Sequence, residues 1–277
     1  MIKILTSRKR GLLCLLIFVS LIGVGYFSYQ TFLQNPPSAL IWTSLPPKSD
    51  DAPVLKIAVM SDIHSDLTHL KEALDKVKER GLKFVIVVGD LTTVGTREEL
   101  SAVKKVLDES GLTYYAVPGN HDYWFINKSR IDVYAQVFGA HYQSFKDEAN
   151  KFILIDNGGD AVGENQMAWI RIEVDECDKI ACLVFMHKPL NHPNSDYTLD
   201  KDSPEESKEL TNLFVTSGVK EIFAGHLHTS YHYDLNGLVT TLDGAITSDR
   251  NWQTPRFLEV DLSSTGEVLE REEVVLD

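Results

Sequence analysis

Cysteine is scarce in this chain of 277 residues: Cys14, Cys177 and Cys182 are the whole complement. That excludes a disulfide framework or a cysteine-built zinc module as the basis of the fold. Cys177 and Cys182 are read as two small core residues, with pairing in an oxidising compartment as the rival. Basic charge is also in short supply. Net charge is −13, and Lys3, Arg8, Lys9 and Arg10 gather at the start, so the remainder is more acidic still. Such a body repels nucleic-acid phosphates at long range, and no nucleic-acid partner is expected. Internal repeats and low-complexity tracts are missing. The long uncharged apolar stretch is confined to one place, residues 11–27.

That stretch, GLLCLLIFVSLIGVGYF, directly follows the basic cluster Arg8, Lys9 and Arg10, and uncharged residues continue to position 33. As a helix it would be about 25 Å long, and with the extension it would reach across a bilayer. Residues 1–33 are therefore expected to form a basic flank and an N-terminal transmembrane helix acting as signal-anchor. The N-terminus would lie in the cytoplasm and the catalytic body outside it. The alternative is a signal peptide cut near the small-x-small site Gly23-Val24-Gly25, giving a secreted protein. Residues 34–53 contain Pro36, Pro37, Pro46, Pro47 and Pro53 and are expected to be a semi-extended linker. The folded domain is expected over 54–277, where a chain with 43% hydrophobic residues has ample material for a core.

Within that domain, strand-like runs at 54–60, 84–88, 114–117, 152–155, 181–186 and 221–224 alternate with helical patterns at 67–80, 98–109, 166–176 and 204–216. Near-continuous apolar strands separated by helices predict an α/β fold with sheet covered on both faces. Two hairpins follow. One joins 231–235 to 238–242 across Asn236-Gly237, and the other joins 257–262 to 268–275. They are expected to complete a mixed sheet or to build a second one.

The ends of these runs carry the chemistry. Asp62 and His64 follow the first, Asp90 the second, and Asn120, His121 and Asp122 the third. His187 follows the run at 181–186, and His226 and His228 follow the run at 221–224. In open α/β sheets ligands bind at the C-terminal strand edge. The donors are nitrogen and oxygen without sulfur, which suits manganese, iron, zinc or cobalt more than calcium or magnesium. They are too many for one four-coordinate ion and enough for two that share a carboxylate, an arrangement suited to phosphoester displacement. His69, His141, His192 and His232 are read as structural or surface residues, with His192 close enough to the rim to border a pocket.

The set DIH, GD, GNHD, a lone His after a strand, and GHLH resembles the calcineurin-like metallophosphoesterase superfamily, with the motifs in family order over about residues 54–242. The resemblance implies a two-sheet mixed β sandwich flanked by helices (α/β/β/α) and a binuclear metal centre. It implies that Asp62, His64 and His228 hold one ion, that Asn120, His187 and His226 hold the other, and that Asp90 bridges them. The cofactors implied are two divalent transition-metal ions, manganese first, with iron or zinc as alternatives. His121 is implied to contact the phosphate or protonate the leaving oxygen, and Asp122 to orient the His121 ring.

Two departures from the family pattern stand out. Leu91, Thr92 and Thr93 follow Asp90 where many relatives carry a further acid. Purple acid phosphatases have tyrosine at the position of Thr93, so no tyrosinate-coloured centre is expected. Lys188, after His187, is read as an exposed lysine without a role, with a phosphate contact as the rival. The expected activity is that of a membrane-anchored phosphohydrolase cleaving a small phosphomonoester or phosphodiester by metal-activated water. Proximity to a membrane favours lipid-linked or envelope-derived phosphates. The alternatives are a cyclic-nucleotide or nucleotide phosphodiesterase and, in another class, a non-catalytic metal-binding scaffold. Trp124 and Phe125 are assigned to the pocket wall or to plain packing, and Asn127-Lys128-Ser129 matches a glycosylation sequon.

Overall fold

The alternation of apolar runs and amphipathic segments resolves into two sheets laid face to face. The computed structural model describes residues 52–124, 132–147 and 149–277. The segment expected to cross a membrane, the linker up to residue 51, Phe125 and the 127–129 sequon lie outside the described residues. Among the described residues no helix is long and apolar enough to cross a membrane.

The first sheet is built on three parallel strands, β1 (Leu55–Met60), β2 (Val85–Val88) and β3 (Tyr114–Val117). The last hairpin, β10 (Arg256–Leu262) and β11 (Val268–Val275), extends it in the order β11-β10-β1-β2-β3, with β10 antiparallel to β1. The second sheet runs β4-β5-β6-β7-β9-β8. Its parallel strands are β5 (Asn150–Ile155), β6 (Ala181–Met186), β7 (Glu221–Ala224) and β9 (Leu238–Asp243). Antiparallel edges are supplied by β4 (Gln143–Asp147) and β8 (Ser230–Leu235). The two C-terminal hairpins therefore go to different sheets.

Helices cover both outer faces. α1 (Leu67–Glu79) and α2 (Arg97–Ser110) bury Leu70, Leu74, Val77, Leu100, Val103 and Leu107 against the first sheet. α2 opens with a capping box between Thr96 and Glu99 and stops at the left-handed Gly111. The short α3 (Val133–Phe138) joins the same face through Val133 and Tyr134. α4 (Glu164–Glu173) and α6 (Pro204–Ser217) cover the second sheet, preceded in the latter case by the single-turn α5 (Leu199–Asp202). Between the sheets lies a third apolar layer containing Ile57, Ile86, Val88, Phe152, Phe185, Phe223 and Val260. Stacked rings run through it, with Phe145 and Phe152 at 4.9 Å and Phe185 and Phe223 at 5.2 Å between centroids. The expected α/β/β/α sandwich is observed.

β4 was not expected. Its sequence QSFKD is polar apart from Phe145, which an edge strand paired on one side only and part-buried along most of its length tolerates. Cys177 and Cys182 are joined in a disulfide rather than being two free core thiols, with Cα atoms 5.3 Å apart at the entrance to β6.

Candidate metal centre

The parallel strands of both sheets end on one rim, and each delivers its polar side chains there. Asp62 and His64 follow β1, Asp90 follows β2, Asn120 follows β3, His187 follows β6, and His226 and His228 follow β7. Five of these seven, Asp62, His64, Asp90, His226 and His228, have positive backbone φ between 45° and 70°. Side-chain-bearing residues rarely adopt that region, at a cost of about 1–3 kcal/mol each. Interlocked backbone hydrogen bonds hold them there. Asp62 N donates to Gly89 O, His64 N to Asp90 O, and Thr247 N to Asp62 O, all at 3.0–3.1 Å. Gly119 and Gly225 let the loops close further. A Cβ on Gly119 would collide with Asp90, and one on Gly225 with Ser61 and Asp62.

Two donor groups result. Asp62, His64, Asp90 and His228 form one, and Asp90, His187 and His226 form the other, with the ligand atoms of each group within 4.8 Å of one another. In the first, His228 Nε2 lies 3.0 Å from His64 Nε2 and 3.3 Å from Asp62 Oδ1. In the second, His187 Nε2 lies 3.1 Å from Asn120 Oδ1 and 3.2 Å from His226 Nδ1. Asp90 faces both: Oδ2 is 3.6 Å from His64 Nε2 and Oδ1 is 3.3 Å from His187 Nε2. Bare nitrogen lone pairs at these distances repel, so each convergence is stable only with a proton or a cation between the rings, and the set as a whole suits metal cations. Asp62 Oδ1 makes the same demand: it is buried and without a hydrogen-bond partner. The residues present therefore fit a dinuclear metal site.

The imidazoles are pre-set for that task. His187 Nδ1 lies 2.9 Å from Val88 O and His228 Nδ1 lies 3.2 Å from Arg250 O, so Nδ1 carries the proton and Nε2 is left as donor atom. Burial by itself would raise the carboxyl pKa of Asp62 and Asp90. The nearby charge of His228, and after it that of His187, holds Asp62 below its ordinary value, and His187 does the same for Asp90. Burial pushes His226 down to about 3, helped by the charge of His187.

His121 sits beside the cluster with its ring edge-to-face on His64, centroids 4.6 Å apart, and stacked on Trp124 at 3.9 Å. The structure corrects the expectation for Asp122. No hydrogen bond among the described residues joins Asp122 to the His121 ring, whose Nδ1 instead lies 2.7 Å from Thr93 O. The Asp122 carboxylate is fully buried and accepts from Leu91 N, Thr92 N, Thr92 Oγ1 and Gly119 N, tying the loop after β2 to the loop after β3. Adjacent residues on a 3₁₀ turn point in different directions, so sequence neighbourhood did not imply contact. Lys188 is likewise corrected. It is buried, not exposed, and its Nζ reaches Asp202 Oδ2 at 2.5 Å and Gly159 O at 3.1 Å.

Three supporting residues escaped the sequence reading. Asn157, just past β5, accepts from the backbone N–H of His187 and Lys188 and donates to Lys188 O. The Asp156-Asn157-Gly158-Gly159 stretch at a strand end was a usable signal. Ser61 Oγ lies 2.5 Å from Asp62 Oδ2 and 2.7 Å from Asp243 Oδ1. Asp243, whose pKa is pushed well up by burial and by Asp62, ends β9 in the same way that Asp90 follows β2.

A family model described as calcineurin-like phosphoesterase matches residues 55–230. The chain is 23% identical over 188 residues to a probable cyclic nucleotide phosphodiesterase of Fibrobacter succinogenes, covering 64% of this chain and 73% of that protein. It is 26% identical over 198 residues to the serine/threonine-protein phosphatase CPPED1 of Rattus norvegicus, covering 64% and 62%. Its fold is similar to that of a dimetal phosphatase from Danio rerio, with a TM-score of 0.59, 14% identity, and coverage of 81% and 100%.

Proposed function

Because the chain belongs to the calcineurin-like phosphoesterases and is a hydrolase of phosphoester bonds, we propose that it cleaves small phosphoesters with two divalent ions, manganese first, held at the Asp90-centred rim. Asp62, His64 and His228 would hold one ion and Asn120, His187 and His226 the other, with Asp90 shared. The observation that carries this reading is the division of the Asp90 carboxylate, one oxygen toward His64 and the other toward His187. Bound there, the ions would supply Lewis acidity toward a phosphoryl oxygen and a water acidic enough to attack at neutral pH.

The chain's own residues do the rest. Thr93 O accepts from His121 Nδ1–H and fixes the ring, so Nε2 is the nitrogen that faces the leaving oxygen and, in the imidazolium, gives it a proton. Trp124 and His64 pin the ring on its face and edge. Asn157 and Asp122 hold the loops that present His187, Asp90 and His121. The protein would work outside the cytoplasm, tethered through residues 1–33 or released after cleavage, where a lipid-linked phosphoester could also reach it. The Cys177–Cys182 disulfide supports an oxidising compartment.

The test is to strip the full-length protein of metal, titrate in Mn²⁺, and follow aryl phosphoester hydrolysis. Two ions per chain with turnover, lost in Asp90→Asn, is the expected result. Two tightly bound ions without turnover would favour the scaffold reading, and fewer than two would undo the ligand assignment.

A further inference from the structure

Among the described residues, two cavities open on the donor cluster. The first, of about 590 Å³, lies against Asn120 and is walled by Trp124, Asp160 and Lys188. The second, of about 640 Å³, lies against Asp90 and His228 and is walled by His121, Arg250 and Trp252. His226 and Tyr197 border both, so the cavities adjoin. Deepening the hydrolase reading above, on which this step rests, we infer that the centre takes a phosphodiester monoanion in preference to a phosphomonoester. The leaving alcohol would sit in the Trp252 cavity and the retained ester group in the Lys188 cavity.

Three observations converge on this. A phosphomonoester has one organic substituent and would leave one of two comparable cavities without an occupant. A phosphodiester has two, one on each side of phosphorus. Charge favours the same substrate. The two lysine or arginine side chains in these walls each face an aspartate: Lys188 is 2.5 Å from Asp202 Oδ2, and Arg250 Nε is 3.5 Å from Asp249 Oδ2. Asp160 adds negative charge to the Lys188 cavity, while Asp156 is paired with His141 and Asp196 with Lys201. Among the described residues the surroundings therefore select against the second negative charge of a monoester.

The third observation assigns the sides. His121 walls the Trp252 cavity and not the Lys188 cavity, so the group that must be protonated belongs with Trp252. The oxygen of water forms the new bond to phosphorus and the bond from phosphorus to the leaving alcohol breaks. Its electron pair takes the proton from His121 Nε2. One proton of the water passes to solvent, and His121 is reprotonated from solvent. The products are the free alcohol and a phosphomonoester. Trp252 and Tyr197, 86% and 74% exposed, offer ring faces that suit a flat or apolar leaving alcohol.

The experiment uses the full-length, Mn²⁺-loaded protein and three substrates: bis(4-nitrophenyl) phosphate, methyl 4-nitrophenyl phosphate and 4-nitrophenyl phosphate. Both diesters should exceed the monoester in kcat/KM by about tenfold or more. Trp252→Ala should lower kcat/KM for both diesters about fivefold and leave their ratio unchanged, since their leaving group is the same. Gly159→Phe, where a Cβ meets nothing closer than Ala161 O at 3.7 Å, should fill the Lys188 cavity and shift the ratio about tenfold against the bis-aryl ester. A higher kcat/KM for the monoester, or a ratio moved by Trp252→Ala and not by Gly159→Phe, would overturn this inference and leave the hydrolase reading standing. Turnover of none of the three would overturn both.

Discussion

Two buried charged clusters sit in this fold, and they differ in how their charge is balanced. At the strand tips, Asp62 and Asp90 are buried among histidines with no lysine or arginine hydrogen-bonded to either among the described residues. Between the sheets, Glu221 on β7 is buried against Arg271 on β11, which donates through Nε at 2.6 Å and again through Nη2. The second cluster brings its own cation and joins two strands in regular extended conformation. The first holds five residues at positive φ. Burial alone does not mark a functional site. A deficit of cation, combined with a strained backbone that keeps the groups in place, does so here.

The comparison breaks most sharply if both clusters respond alike to losing a partner. Arg271→Met leaves Glu221 buried without its cation, and folding stability should fall by about 3–5 kcal/mol. Chemical denaturation measures this, and kcat of the folded fraction should hold. Next comes Asp90→Asn, which removes the shared carboxylate. Activity should fall on the order of 10²–10³-fold, as for loss of one electrostatic group at a reacting centre. The metal-free protein should lose less stability than Arg271→Met does, because the charge removed is balanced only by a protonated imidazole, that of His187, and not by a bidentate guanidinium. Metal-free Asp90→Asn unfolding as readily as Arg271→Met would show that the tip cluster is structural as well.

A smaller effect separates Asp122 from the ligands beside it. Its carboxylate serves three backbone N–H groups and the Thr92 hydroxyl, so Asp122→Asn should destabilise by about 1–3 kcal/mol through unsatisfied donors. The pH–rate profile should keep its shape, since Thr93 O orients His121. A displaced limb in that profile would restore Asp122 as the residue that sets the imidazole.

How far the sequence was legible follows from the same distinction. The strands ending at Met60, Val88, Val117, Met186 and Ala224 could be read because apolar runs gave way within three residues to Asp, Asn or His. The sandwich followed from those runs together with the family resemblance. Contacts made by backbone were not legible: Thr93 O on His121 and Val88 O on His187 have no side-chain signature. Neither was the burial of Lys188, because its partner Asp202 lies on a separate helix and lysine is ordinarily a surface residue. The β4 edge and the separation of the two hairpins into different sheets depend on long-range pairing that local pattern does not encode.

The subtlest test of the cation deficit lies within the second donor group. Burial alone would lower the pKa of His187, but the charge of Asp90, 3.3 Å away, raises it to about 9. His226, pushed down to about 3, stays neutral across the working range. In the metal-free protein at neutral pH a proton on His187 therefore stands in for the missing cation. Its Nδ1 faces Val88 O, so the proton to be displaced by a metal is the one on Nε2. Metal loading of this half should release one proton. Affinity should fall about tenfold for each pH unit below about 9 and level off above it. Calorimetric titration of Mn²⁺ near pH 7.5, in two buffers of different ionisation enthalpy, counts that proton directly. Binding of the second ion with no proton released would show that Asp90 does not carry the charge of an absent cation, and the contrast with the self-balanced Glu221–Arg271 pair would fail.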